Sequence, residues 1–342
     1  MKKRQALFII LLLFVSGCSS GDYKIVYIKE KLNSKENAIK ETEKYTIGVV
    51  PKVENIPYFT AVEEGALEAG KDLGVEVMYI GPTVADSKQQ IKIIDELIEK
   101  NVDVLAVSAN DPEDLIPVLL KAKSQGVRVF TWDSDVQQEG REFFINMVDP
   151  EVLGRHIMDT LAWALNEKGS YAIITGSTSA ANVKEWVDWI QIQQRDKYPN
   201  MELVKLAESD DNPRKAYLAA KEILKKYPNI KGIIGGSSVG PPSISKAIKE
   251  EEKQGKVAVV GLSPPNSMNE YLKDGTAQMI TLWSPKKLGY LTVSIAVNLL
   301  RDISPYDRQD INGVGKITRK GDAIIMGDPI DFTKDNVDQY DF

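Results

Sequence analysis

The feature that most restricts this chain is a repeated alternation, from Tyr45 onward, of short β-branched runs with longer amphipathic segments. "YTIGVV", "VEVMYI", "VDVLAV" and "VRVFTW" are short β-branched runs that read as strands. Between them, residues 58–73, 87–100 and 114–125 carry apolar positions at helical spacing, and Gly74 and Gly126 stand where those helices should stop. A second series follows, "SYAIIT", "MELVKLA", "KGIIGG" and "KVAVVG", interleaved with expected helices at 182–198, 213–227, 242–254 and 267–274. The order predicts an α/β fold of parallel sheets covered on both faces. Eight such runs leave one closed barrel or two open sheets. The break around "REFFINMVDPEVLGRHI" and the stretch after Asp302, which lacks the rhythm, favour two open sheets.

In open parallel sheets, ligands bind beyond the carboxyl ends of the strands. The stretch "VRVFTWDSDV" leaves its strand with Trp132, Asp133, Ser134 and Asp135 in succession. The same rule nominates Lys52, Asn110 and Asp111 in the first series. In the second it nominates Ser177 to Asn182, Ser237, Ser238 and Ser263. Ser, Asn and Asp are also the usual helix caps, and capping is the preferred reading for Asp111 and Ser237. Asp133 with Lys52 resists it, because charges at the mouth of a sheet are costly unless they meet each other or a polar ligand. Asp210 and Asp211 in "ESDDNPRKA" are read as the first turn of a helix rather than a cation site.

The N-terminus sets the compartment. Lys2, Lys3 and Arg4 precede ten apolar residues, Ala6 to Val15, then "VSGC" ending at Cys18. Ten residues are too few to span about 30 Å of hydrocarbon as a helix. The pattern resembles a bacterial lipoprotein signal, which implies removal of 1–17 and acylation of Cys18. Cys18 is the sole cysteine, so no intrachain disulfide forms. Removal takes three positive charges and no acids, moving the formal charge from −6 to −9. So acidic a body is a poor nucleic-acid partner. Residues 18–44, with "KEKLNSKENAIKETEK", read as a polar tether.

Enzyme signatures are thin. The single histidine, His156, lies in an apparent helix, which disfavours a histidine relay or a metal cluster. No P-loop or G-x-G-x-x-G follows a strand. No cofactor is expected.

"VVPKVENIPYFTAVEEGALEAGKDLGVEVMYIGPT", "GVRVFTWDSDV", "GVGKI" and the terminal "YDF" resemble the type I periplasmic sugar-binding proteins, nearest the branch of the autoinducer-2 and rhamnose receptors. The resemblance spans Tyr45 to Phe342. It implies two Rossmann-like lobes joined by three crossovers, one of residues 45–147 plus 284–310 and the other of 148–283 plus 311–342. It also implies a ligand clamped between them. Carried over, the autoinducer-2 pattern is matched by Lys52 and Asp133 but not by Asn182, Val183, Gly236 and Ser238. The ribose pattern keeps an aspartate at Asp133 and is replaced at Lys184 and Trp283.

A sugar offers hydroxyls at its rim and C–H groups on its faces, so a site needs carboxylates or amides beside aromatic surface. Asp133 and Lys52 are expected to bind hydroxyls, with Asn182, Lys184 and Ser238 on the opposite lobe. Tyr58, Trp186 and Trp283 are candidate stacking walls, core packing is preferred for Phe59, and Asp135 and Ser263 are orienting residues. The expected protein is a monomeric, lipid-anchored extracytoplasmic receptor that passes a pentose or deoxyhexose to an ABC permease. The alternatives are a sugar-sensing co-receptor of a membrane histidine kinase and an autoinducer-2 receptor.

Overall fold

The computed structural model describes residues 44–342; the expected signal segment 1–17, the acylation site Cys18 and the tether up to residue 43 lie outside the described residues. The first βα series runs β1 (Thr46–Val50), α1 (Pro57–Leu73), β2 (Glu76–Tyr79), α2 (Ser87–Glu99), β3 (Val104–Val107), α3 (Ile116–Ser124), β4 (Arg128–Trp132) and β5 (Phe144–Asn146). The second runs α4 (Pro150–Ala164), β6 (Gly169–Thr175), α5 (Ala181–Lys197), β7 (Met201–Glu208), α6 (Pro213–Lys226) and β8 (Gly232–Gly236). It continues with α7 (Gly240–Glu250), β9 (Ala258–Leu262), α8 (Pro265–Lys273) and β10 (Met279–Leu282). Last come α9 (Pro285–Leu300), a small hairpin of β11 (Asp310–Ile311) and β12 (Gly315–Lys316), then β13 (Thr318–Lys320), β14 (Ala323–Ile325) and β15 (Ile330–Phe332).

Two open, mostly parallel sheets result. One is ordered β13-β14-β5-β4-β3-β1-β2, the other β15-β10-β9-β8-β6-β7. Each forms the centre of a lobe. The chain passes between them three times: Asn146 to Pro150, Leu282 to Pro285, and Ile325 to Ile330. The expected third crossover at 310/311 is therefore misplaced. Ile324 pairs with Ile145 and Ala323 with Phe144 in parallel, so residues 318–325 extend the first sheet. The physical reason is that β5, three residues long, needs a partner on its free side, and its match lies far along the chain. Strands β5 and β10 and helix α9 are absent from the sequence expectation.

Helix α1 begins at Pro57, which has no N–H to satisfy, and ends at Gly74 with φ +72°. It packs against α9 so closely that a Cβ on Gly65 would meet the Lys286 carbonyl oxygen at 1.9 Å. One on Gly289 would meet that of Val62 at 1.9 Å. The two backbones touch through glycine. This pairing matters for the cleft, because α1 starts beside Tyr58 and α9 starts just after Trp283.

A candidate sugar-binding cleft

Parallel register aligns the ends of β1, β3 and β4, with Val50 opposite Val107 and Val107 opposite Thr131. The loops that follow deliver Lys52, Ser108 and Asp133 to one place. Asp133 adopts φ +61°, a left-handed conformation that turns its side chain out of the strand direction. Ser108 Oγ donates to its Oδ2 at 2.6 Å, and the Tyr58 hydroxyl donates to its Oδ1 at 3.0 Å. Trp283 Nε1 donates in turn to the Tyr58 hydroxyl at 3.1 Å. Behind them, buried Gln90 donates to the carbonyls of Pro51 and Ser108 and accepts from the Asn110 N–H. One amide thereby ties together two of the loops that carry the charged site.

Lys52 Nζ lies 3.9 Å from Asp133 and 3.6 Å from Asp211, which belongs to the second lobe. Asp211 also has positive φ, and its carboxylate sits where a Cβ on Gly176 would come within 2.9 Å of its Oδ1. Burial, most of all, raises the Asp133 carboxyl above the ordinary range, against the lowering pull of Lys52, Ser108 and Tyr58. For Lys52 burial works the other way, but the charges of Asp211 and then Asp133 outweigh it and hold the ammonium above its usual value. The Tyr58 phenol is raised well above 10, by burial first and by Asp133 next. The two shifts have different causes: burial raises the carboxyl, and two neighbouring carboxylates raise the ammonium against its own burial.

These groups line a cavity enclosing about 370 Å³ of empty space, its open mouth included. Ile56, Tyr58 and Phe59 wall it from the first lobe, Asn182, Val183, Trp186, Asp211, Gly236, Ser237 and Ser238 from the second, with Leu262, Leu282 and Trp283 at the base. Trp186 and Trp283 are inclined at 55° with ring centroids 5.9 Å apart, and Tyr58 meets Trp283 edge-on at 6.0 Å. Asn182 Nδ2 and Ser237 Oγ are buried and find no hydrogen-bond partner among the described residues. Buried polar groups are ordinarily paired, and these two are the ones among the unpaired atoms of the described residues that belong to residues lining the cavity.

A sequence model described as "periplasmic binding protein domain" matches residues 47–303. The chain belongs to the periplasmic binding protein family. Among relatives of this binding protein, the D-apiose import binding protein of Paraburkholderia graminis is 25% identical over 66% of this chain and 71% of its own. The ribose import binding protein of Bacillus subtilis is 22% identical over 88% and 94%. A solute-binding protein of Clostridium phytofermentas solved with L-rhamnose superposes with TM-score 0.82 at 27% identity, covering 86% of this chain and 98% of its own. One from Burkholderia graminis solved with D-arabinose gives 0.77 at 30%, covering 87% and 98%. These are binding proteins, and the chain is a binding protein rather than an enzyme.

Lys52, Tyr58, Asp133, Asn182, Trp186, Ser238 and Trp283 come together in the cavity wall. Lys184 does not. Asn182, Val183 and Trp186 form the inner face of α5, and Lys184 falls on the outer face, two-thirds exposed, 2.6 Å from Asp188. Asp135 stands outside the cavity, gripped by Arg141 through Nε at 2.9 Å and Nη2 at 2.6 Å and bonded to Thr131. Ser263 supports the lining from behind, donating to the Ser238 carbonyl at 2.9 Å. Phe59 both lines the cavity and packs edge-on against Trp132.

Sequence reasoning set aside Asp211 and Ser237. Asn212, not Asp211, caps α6, accepting from Arg214 and Lys215, and the Ser237 hydroxyl caps nothing. The strand-end rule that found Asp133 also points to Asp211, three residues past β7. Asp111 does act as a turn cap, accepting from the N–H groups of Glu113 and Asp114. His156 is bonded to Asp331, and no cluster of His, Cys, Asp and Glu among the described residues is arranged to hold a metal ion. No described helix is long and apolar enough to cross a membrane.

Proposed function

We propose that the chain is a lipid-anchored extracytoplasmic receptor that closes its lobes on a pentose or deoxyhexose and delivers it to an ABC importer. The observation that carries this reading is the cavity itself: a buried carboxylate and ammonium on one wall, unpaired amide and hydroxyl donors on the other, and indole surface between them. Asp133 Oδ1 and Oδ2 each hold one donor and retain capacity for a second, which suits adjacent sugar hydroxyls. Lys52 donates to ring or hydroxyl oxygens while balancing the carboxylates. The sugars named for the relatives, apiose and ribose, and those bound in the solved structures, rhamnose and arabinose, fall in the same size class.

Autoinducer-2 is the second reading, favoured by Lys52 and Asp133 alone. Against it, Val183 has no polar side-chain atom to meet a ligand oxygen. A thermal-shift panel of pentoses, deoxyhexoses, polyols and autoinducer-2 tests the proposal, since a ligand at 100 times its Kd adds about 2.7 kcal/mol to the native state. A shift with a pentose or deoxyhexose is expected; a response to autoinducer-2 alone would overturn the choice of sugar. For the anchor, Cys18→Ser should abolish lipid labelling, and persistent palmitate incorporation would remove the lipoprotein assignment.

A further inference from the structure

The charges that face the cavity do not balance. Among the described residues, Lys52, Asp133 and Asp211 are the only charged ones that line it, and each side chain is less than a tenth exposed. With all three ionised the site carries one net negative charge. The surplus is contributed across the cleft: Asp133 stands on the first lobe, Asp211 on the second, and the single ammonium lies between them. The remaining polar lining atoms, including Asn182 Nδ2 and Ser237 Oγ, are neutral and offer donors but no positive charge. Resting on the sugar reading above, we infer that Asp211 is a specificity-determining residue that makes the cleft take neutral sugars and refuse sugar acids and sugar phosphates.

The reasoning is electrostatic and steric at once. A neutral sugar answers a carboxylate with hydroxyl donors, so each acid gains a charge-assisted hydrogen bond. A ligand carboxylate or phosphate would instead place a second uncompensated anion in a desolvated site, where like charges repel strongly. Lys52 is already the one cation for two carboxylates, Asp211 at 3.6 Å and Asp133 at 3.9 Å, so a ligand anion would make a third claim on a single positive charge. The bare Cα of Gly176 leaves the room that the Asp211 carboxylate occupies, 2.9 Å from where a Cβ would stand.

Calorimetry on the full chain at neutral pH tests this with two pyranose-matched pairs, L-arabinose against D-galacturonate and D-xylose against D-glucuronate, with D-ribose against the furanose-bound D-ribose 5-phosphate as a third pair and L-rhamnose as a further neutral probe. At least one neutral sugar should bind, and its anionic counterpart ~100-fold more weakly or not at all. In Asp211→Asn, which keeps the shape and removes the charge, that ratio should narrow at least tenfold, chiefly through better binding of the acid. Exclusion by size alone would leave the ratio untouched. An acid that binds the natural protein as tightly as its neutral partner, or a ratio unchanged by Asp211→Asn, overturns the inference while sparing the sugar reading. Silence from every probe removes both. Should Asp211→Asn fail to fold, the ratio in the natural protein and in Asp211→Ser decides.

Discussion

On the first lobe the polar groups of the cleft are already spoken for: Asp133 accepts from Ser108 and Tyr58, Tyr58 accepts from Trp283, and Asn110 Nδ2 donates to the Lys52 carbonyl. On the second lobe Asn182 Nδ2 and Ser237 Oγ have no partner, and Asp211 reaches across the cleft to Lys52. The first wall is preorganised by the protein, and on the proposed reading the sugar completes the second. Preorganised groups lose little freedom on binding and serve as an anchor. Unpaired buried donors reject any ligand that fails to meet them. The division also accounts for the sequence pattern, in which Lys52 and Asp133 match the autoinducer-2 receptors and the second-lobe positions do not.

The largest effect should come from breaking the anchor. Asp133→Ala is expected to cost about 2–5 kcal/mol of sugar affinity by calorimetry, with a much smaller change in the ligand-free melting point. An affinity that survives would mean the first wall is not the anchor. Next, Ser237→Ala should weaken binding by about 1–3 kcal/mol while leaving the ligand-free protein as stable or more stable, because an unpaired buried hydroxyl is removed. A marked loss of ligand-free stability would show that Ser237 is satisfied by the protein after all and erase the contrast between the walls. Trp283→Phe keeps an aromatic face but removes the N–H that holds Tyr58. It should cost about 0.5–1.5 kcal/mol, and an equal loss in Trp283→Phe/Tyr58→Phe would place that cost on the Tyr58 hydroxyl.

The smallest effect lies away from the cleft, at His156 on α4, whose Nε2 is 2.8 Å from Asp331 on β15. The hydrogen bond to Asp331 leads the causes that raise the imidazole above 6.5. Asp331 is lowered below 3.8: burial opposes that shift, and the bonds to His156 and Thr281 outweigh it. The raised histidine contributes stability fully present below about 6.5 and lost as pH climbs through its folded value. The lowered aspartate contributes stability present above about 3.8 and lost as pH falls through its folded value. The melting point of the natural protein minus that of His156→Gln should therefore be larger at pH 5.5 than at pH 8.5. Both side chains are partly exposed, so salt should shrink the difference; equal differences at both pH values would remove the pair as a tie between α4 and β15.

Much of the architecture was legible because a strand buried on both faces has to be written as a near-continuous apolar run, as in "YAII". The ends of those runs then located Lys52, Asp133, Asn182 and Ser238. Phe144–Asn146 and Ala323–Ile325 were not legible: three residues carry no period, and their pairing spans nearly the whole second lobe. Lys184 was misplaced by rotation, since one step along a helix turns a side chain by about 100°, enough to carry it from beside Val183 to solvent. Asp211 was hidden by chemistry. An aspartate just before "NPRKA" looks like a cap, and only the left-handed backbone at Asp210 and Asp211 turns it toward the cleft.

The two indoles in the cavity have a practical consequence. Trp186 belongs to α5 in the second lobe, whereas Trp283 sits on the crossover that launches α9, the helix pressed backbone to backbone on α1. Trp186 therefore rides on the second lobe and Trp283 on a joint between the lobes, with their ring centroids 5.9 Å apart. Only five tryptophans are present in all, so emission changes from this pair stand out against a small background. The closure proposed above would change the surroundings of both rings, and so would be read as a change in tryptophan emission without dye or label.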